Sequence, residues 1–341
     1  TPNRKFIIAD TPGHVQYTRI MITGASTADL ALILVDARRG IQEQSRRHAI
    51  LATMLKVPHL VLCVNKMDLV GFSREEFDAI SKEFEEFTSR LDAGDLSFVP
   101  VSALKGDNVV TRSENMAWYD GEPLLGLLEN VDIASDHNLV DGRFPVQYVI
   151  RPMSEQFHDY RSYAGTVAGG ILRPGDPVTV LPSGLGSRIA SIDTMDGSLA
   201  EAFPPMSVAI RLEDDIDISR GSMIYGAGPP PQTEQEFEAI VCWMSESRPA
   251  RAGDRFSIKH TTRTAQAVVT DVAYRLDVNS LHRDDGADEL GLNELGKVTV
   301  RTSIPLFYDD YARNRDTGSF ILIDNATNST VGAGMIGKTH F

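Results

Sequence analysis

Two cysteines in 341 residues, no apolar stretch longer than a strand, and an excess of acid over base exclude several classes of protein before any motif is read. Cys63 and Cys242 each lie inside an apolar run, so they read as buried, unpaired thiols, which suits a reducing cytoplasm. The longest apolar runs, such as Ala31–Val35 and His59–Val64, are far too short to cross a bilayer. No signal-peptide pattern opens the chain, since Thr1-Pro2-Asn3-Arg4-Lys5 leads straight into a strand pattern. The net charge of −14 argues against a large nucleic-acid footprint, because neutralising phosphates takes clustered Lys and Arg, although a local basic patch stays open. Low-complexity tracts and internal repeats are also missing. A soluble, cytoplasmic, multidomain protein that uses neither membrane nor nucleic acid is the expectation.

What is there falls into two textures. From residue 5 to about 130, short apolar runs alternate with helical periodicity. Lys5–Ala9, Leu30–Asp36, His59–Asn65 and Ser97–Ser102 read as buried strands. Tyr17–Gly24, Gln42–Leu55, Ser73–Leu91 and Leu124–Glu129 read as helices. Ser73 and Glu76 form the S-x-x-E signature of a helix start. Strands and helices in series imply a parallel sheet covered on both faces. After about residue 135 the chain turns to short, closely spaced strands with Pro-Gly turn chemistry, as in Arg173-Pro174-Gly175-Asp176 and Pro182-Ser183-Gly184. Asp136–Arg143 and Gly226–Gln232 read as linkers. Glu236–Met244, Asp254–Lys259, Ala265–Val278, Lys297–Ser303 and Ser319–Ile323 form a second group of strands. The expected divisions are 1–135, 140–228 and 233–341.

Three motifs carry chemistry, each at the end of an expected strand. Phe6–Ala9 runs into Asp10-Thr11-Pro12-Gly13-His14. A carboxylate at a strand's carboxyl end sits where α/β sheets bind ligands, so Asp10 could hold Mg²⁺ through water. Gly13 lets backbone approach a phosphate, and His14 could orient an attacking water. The bland alternative is an ordinary turn with an exposed histidine. His59–Val64 leads into Asn65-Lys66-Met67-Asp68. Asp68 can accept hydrogen bonds from N1–H and the exocyclic amine of guanine, which adenine does not offer. Asn65 can address the base's other edge and tie loops together, while the aliphatic stem of Lys66 can lie over the ring. At Ser102-Ala103-Leu104-Lys105, a backbone N–H from Ala103 or Leu104 would meet guanine O6.

The order D-T-P-G-H, N-K-M-D, S-A-L-K, followed by two β-domains, resembles the translational GTPase superfamily typified by elongation factor Tu. Across nearly the whole chain the sequence is more similar still to the family of large, GTPase subunits of bacterial sulfate adenylyltransferase. The segments that carry this are Gln16–Arg19, Gly24–Asp29, Ser45–His48, Glu114–Gly121, Pro123–Leu125, Thr317–Asp324 and Thr327–Ile336. The resemblance implies an α/β P-loop-NTPase-type G domain followed by two small antiparallel β-barrels. It also implies GTP/GDP and Mg²⁺ as ligands and a small catalytic subunit as partner. In that family GTP hydrolysis is coupled to formation of adenylyl sulfate and pyrophosphate from ATP and sulfate. The alternative from a different class is an elongation-factor-type carrier of aminoacyl-tRNA, which should show salt-sensitive RNA binding.

One departure from the family pattern stands out. The phosphate-cradling G-x-x-x-x-G-K-[ST] that should precede D-x-x-G is missing, and Gly337-Lys338-Thr339 at the far end lacks the upstream Gly and a following helix. The family's first strand, P-loop and first switch are expected to precede Thr1; material that truly started at Thr1 is expected neither to bind nor to hydrolyse GTP measurably. Adenylyl-sulfate kinase activity, carried by some relatives beyond their third domain, is not expected from these residues. The acidic runs Asp214–Asp217 and Asp284–Glu289 read as solvated loops without EF-hand spacing. His48, His137, His158 and His260 form no metal-ligand pattern. Arg38-Arg39 and Arg46-Arg47 either meet an acidic partner surface or solvate a helix, and Trp118 and Tyr119 pack beneath the guanine-side loop.

Overall fold

The apolar run at His59 forms the centre of a parallel sheet. In the computed structural model, β2 (His59–Asn65) pairs on one side with β1 (Leu30–Asp36) and on the other with β3 (Asp95–Pro100). The structure describes residues 1–11, 18–89, 91, 93–133, 137–151, 161–277 and 282–337. Leu60–Val64 are wholly buried, as a strand covered on both faces must be. The helices are α1 (Thr18–Ala25), α2 (Glu43–Met54), α3 (Arg74–Thr88) and α4 (Leu124–Asn130). The start of α3 is capped as its sequence indicates, with the Glu76 N–H donating to Ser73 Oγ at 3.2 Å. Phe77, Ile80 and Phe84 of α3 pack against Leu62 and Val64 on one face of the sheet. On the other face Cys63 and Val99 pack with Leu124 and Leu127 of α4.

Lys5–Ala9 is not a strand. It is extended but unpaired, with Ile7 92% and Ile8 87% exposed. An apolar run becomes a strand only where a neighbour takes up its backbone groups, and among the described residues none does. The segment is tethered at its ends instead. Arg4 Nη1 donates to the Leu128 and Val131 carbonyls at 3.0 and 2.7 Å. Ala9 and Thr11 lie against Gly24 of α1, where an added Cβ would come within 3.0 Å of Thr11 Cγ2. The edge of β1 that faces away from β2 is likewise unpaired among the described residues, and Leu32 and Leu34 are exposed.

The chain separates into two compact units, Thr1–Asp136 with Asp277–His282, and His137–Leu276 with Arg283–Phe341. The second unit holds two closed, six-stranded antiparallel barrels. One runs in the order Pro177–Leu181, Met223–Tyr225, Arg143–Ile150, Ser162–Thr166, Ser207–Leu212 and Leu185–Thr194, which pairs back to the first. The other runs Arg255–His260, Ser319–Ile323, Thr330–Ile336, Gln232–Trp243, Leu295–Tyr308 and Arg263–Leu276, closing the same way. Closure removes the open edges that a flat sheet would leave. Each barrel encloses its own apolar core, around Phe144, Tyr163 and Ile210 in the first and around Trp243, Phe256 and Phe320 in the second. The Pro174-Gly175 turn forms as its sequence requires, with Gly175 at φ 90° and the Asp176 N–H donating to the Arg173 carbonyl.

Both expected linkers prove to be fastened. Arg143 opens a strand and is fully buried, donating through Nε and Nη2 to the two oxygens of Asp309 at 2.9 and 2.8 Å. Its Nη2 also reaches the Pro229 carbonyl, inside the second supposed linker. Asp141 receives a similar fork from Arg313. Thr330–Ile336, not read as a strand from sequence, completes the second barrel, and its Gly334 leaves the space that the Phe320 ring fills.

Candidate guanine-nucleotide site

Parallel pairing puts the carboxyl ends of β1, β2 and β3 side by side, with Asp36 opposite Asn65 and Val64 opposite Pro100. The loops that leave β2 and β3 therefore meet. Asn65 joins them: its Oδ1 accepts from the Lys66 N–H at 2.7 Å and from the Ala103 N–H at 3.0 Å. The Met67 N–H donates to the Val101 carbonyl, and the Met67 side chain is fully buried beneath the loop. Lys66 sits in the left-handed region at φ 65°. Such a conformation is uncommon for a residue with a side chain and holds here because its neighbours fix it. A short 3₁₀ turn, Met67–Val70, then presents Asp68, and Gly71 ends it at positive φ.

The wholly buried Ser102 hydroxyl donates to Asp68 Oδ1 at 2.7 Å. Among the described residues the second carboxylate oxygen of the half-buried Asp68 has no hydrogen-bond donor, so its acceptor capacity is free. Ser102 itself is locked by a tight turn in which the Lys105 and Gly106 N–H groups return to its carbonyl. With the Ala103 amide taken by Asn65, the Leu104 amide is the one of the two expected donors without an acceptor among the described residues. The exposed side chains of Ala103 and Leu104 leave the loop open to a ligand.

Of the residues expected from sequence, the structure thus brings together Asn65, Lys66, Asp68, Ser102, Ala103 and Leu104. Asp10 is exposed at the end of the unpaired segment and shares no hydrogen bond or ion pair with that cluster among the described residues. Gly13 and His14 lie outside the described residues, as do His158 and Lys338-Thr339. Among the described residues no group of three or more His, Cys, Asp or Glu could hold a metal. His48 lies 3.0 Å from Gln44, and His260 is buried against the Thr317 carbonyl.

Sequence reasoning passed over two residues here. Asp36 ends β1 and accepts from Arg38 and from Lys66 Nζ, the latter at 2.8 Å; these cations, Arg38 first, hold its carboxyl well below the usual range. The available signal was an acid closing an apolar run, as at Asp10. Asn108 is buried and ties the Pro100 carbonyl to the Ser113 N–H, which fastens the Ser102 loop from behind. Nothing in the sequence distinguishes it. Trp118 and Tyr119 do pack as expected, donating to the Phe72 and Phe98 carbonyls around Phe77. Burial pushes the Tyr119 hydroxyl and the Cys63 thiol up to about 12. A thiol so held is un-ionised at neutral pH and poorly reactive.

Residues 1–142 match the elongation factor Tu GTP binding domain, and residues 236–337 match the GTP-eEF1A C-terminal domain-like family. The chain is 60% identical over 336 residues to the bifunctional enzyme CysN/CysC of Mycobacterium tuberculosis (strain CDC 1551 / Oshkosh), covering 98% of this chain and 55% of that protein. It is 49% identical to sulfate adenylyltransferase subunit 1 of Alteromonas mediterranea, covering 98% of this chain and 70% of the relative. The corresponding figures for subunit 1 of Bacteroides fragilis are 50%, 98% and 69%. The chain spans about half the length of the bifunctional relatives it matches. Among solved structures, Sup35 complexed with GDP superposes with a TM-score of 0.55 at 21% identity, over 93% of this chain and 80% of that one, a likeness of fold alone. No helix among the described residues is long and apolar enough to cross a membrane.

Proposed function

The chain belongs to the sulfate adenylyltransferase subunit 1 family, with a GTP-binding domain of the elongation factor Tu type, and from that membership we propose its task. It is the GTPase subunit of a cytoplasmic sulfate adenylyltransferase, coupling GTP hydrolysis to the formation of adenylyl sulfate and pyrophosphate from ATP and sulfate. A smaller subunit carries out the adenylyl transfer. Residues 1–135 form the nucleotide domain, and 140–228 and 233–341 the barrel domains.

One observation carries the guanine reading: Asp68 is held by Ser102 with one carboxylate oxygen left open, beside an Asn65 that joins both loops. Asp68 accepts from N1–H and the 2-amine of the base, and the Leu104 amide meets O6. The Lys66 stem covers the ring, and Asn65 takes the remaining edge. A group rejected for lacking a buried hydrogen-bond partner is discriminated by orders of magnitude, whereas apolar contact alone discriminates weakly. Asp10 is exposed and accepts no hydrogen bond from the described residues, which fits a carboxylate that holds hydrated Mg²⁺ through water. The ion supplies charge neutralisation at the phosphates. Gly13 offers its amide there, and His14 orients the attacking water.

Full-length protein carrying Asp68→Asn tests the site directly. The amide reverses one donor–acceptor pair, so preference should pass from guanosine to xanthosine diphosphate by at least about a hundredfold. An unchanged base preference overturns the guanine assignment. For the coupled reaction, pyrophosphate release from ATP and sulfate is followed with the small subunit present. GTP should stimulate it strongly, and no response to GTP refutes the coupling.

A further inference from the structure

Asp36 is placed by the register of the sheet, not by its sequence neighbourhood. Its Cα lies opposite Asn65 at the ends of adjacent parallel strands, so a side chain 30 residues upstream of Lys66 reaches it across the strand gap. Its carboxylate is fully engaged: Oδ1 accepts from the Arg38 backbone N–H and from Nε, both at 3.0 Å, and Oδ2 from Arg38 Nη2 at 2.7 Å and Lys66 Nζ at 2.8 Å. Arg38 thus locks the carboxylate in one orientation, and the locked carboxylate fixes the far end of Lys66. The near end is fixed too, by the left-handed backbone and by the bond from the Lys66 N–H to Asn65.

We propose that Asp36 is a positioning residue for nucleotide binding, aligning the aliphatic stem of Lys66 as a rigid platform against the guanine ring. The proposal rests on the reading of Asn65–Asp68 as the guanine site. Its physical basis is pre-organisation. A free lysine side chain samples many rotamers and would have to be immobilised when the base arrives, whereas one held at both ends has lost that freedom beforehand. The strength of the ion pair itself is secondary, because Lys66 and Arg38 are each nearly half exposed and their Coulomb attraction is screened. The competing view is that Asp36 only shapes the turn after β1, where it accepts from the Arg38 backbone N–H. Asparagine serves that turn equally well, so Asp36→Asn removes the lysine anchor and spares the turn.

The experiment measures GDP dissociation constants and thermal midpoints for full-length wild type, Asp36→Asn, Lys66→Met and the double variant. Methionine keeps an apolar stem but has no ammonium to anchor. Each single change should weaken GDP roughly tenfold, the order expected for releasing one long side chain. The double should be no weaker than the worse single, with the preference for GDP over the xanthosine nucleotide unchanged throughout. Losses that multiply in the double, or an Asp36→Asn protein that binds GDP like wild type, overturn the proposal. If Asp36→Asn lowers the thermal midpoint markedly, Lys66→Met decides alone, and wild-type affinity in that exposed variant overturns it. Wild-type protein with no preference for GDP over ADP would instead sink the guanine site itself, a result these variants do not mimic.

Discussion

Asp36 and Asp309 each receive a two-pronged grip from an arginine, and the two regions use that same pair for opposite ends. In the α/β unit, Asp36 is bound by Arg38 and Lys66, whose side chains remain 47% and 46% exposed. In the barrel unit, Arg143 is fully buried against Asp309, whose carboxylate also accepts from Thr317 Oγ1 at 2.7 Å. A pair whose cations are half exposed contributes little to folding, because water already solvates the cations and screens the attraction. It can, however, hold a neighbouring side chain in place without the fold depending on it, which suits a ligand site. A buried pair has a structural task instead. Its ions have been taken out of water, so either one left alone is strongly unfavourable. The lesson is that exposure, more than chemistry or distance, assigns a carboxylate–arginine pair to recognition or to architecture.

The largest effect should come from breaking the buried pair. Arg143→Met leaves Asp309 uncompensated and should cost about 3–5 kcal/mol in the barrel unit. Urea unfolding followed through Trp243 in a Trp118→Phe background reports that unit alone, because the chain's other tryptophan has been removed. Adding Asp309→Leu should recover much of the loss. A midpoint unmoved by Arg143→Met would break the contrast between the two pairs.

On the other side of the comparison, Ser102→Ala removes the hydroxyl that orients Asp68. A hydrogen bond to a charged group is worth about 1.5–3 kcal/mol, so GDP should bind roughly 10- to 100-fold more weakly. Fold stability should change much less than in the Arg143 variant. Calorimetric titration checks the affinity; a loss of stability without a loss of affinity would make Ser102 architectural too.

The smallest effect sharpens the barrel side. Burial disfavours the charged form of His260 and lowers its pKa, against the partial opposition of the Thr317 carbonyl. Below about pH 6.5 the unfolded imidazole takes up a proton that the folded one refuses. Stability from this group is therefore complete above that pH. It declines as pH falls toward the folded pKa, at no more than about 1.4 kcal/mol per unit. Comparing urea midpoints at pH 7.5 and 5.5 should show a smaller drop in His260→Gln than in wild type. Equal drops would assign the acid sensitivity elsewhere.

How much of this was legible beforehand depended on the range of the interaction. The clustering of Asn65, Lys66, Asp68 and Ser102 could be read because each sits at or just past the end of a strand whose apolar run announces it. The start of α3 was legible because Ser73 and Glu76 are three residues apart. Arg143 was misread as linker because its surroundings are polar and glycine-containing, while its partner lies 166 residues away. Asp36 was missed because its partner Lys66 is a neighbour only through strand register. Lys5–Ala9 misled in the reverse direction, since an apolar run states a wish to be buried and says nothing of whether a pairing neighbour is there.

The amino-acid order by itself determined the alternation that makes a parallel sheet, the turn chemistry that makes barrels, and the donor and acceptor types that suit guanine. These depend on side-chain periodicity and local backbone preference, which act over a few residues. Only the tertiary structure decided which carboxylate keeps an oxygen without a donor among the described residues and which is sealed in, which amide of Ala103 and Leu104 lacks an acceptor among those residues, and that Lys66 is held at both ends. Those outcomes depend on distances and solvent access between groups far apart in sequence, and such quantities come into being only when the strands are laid side by side.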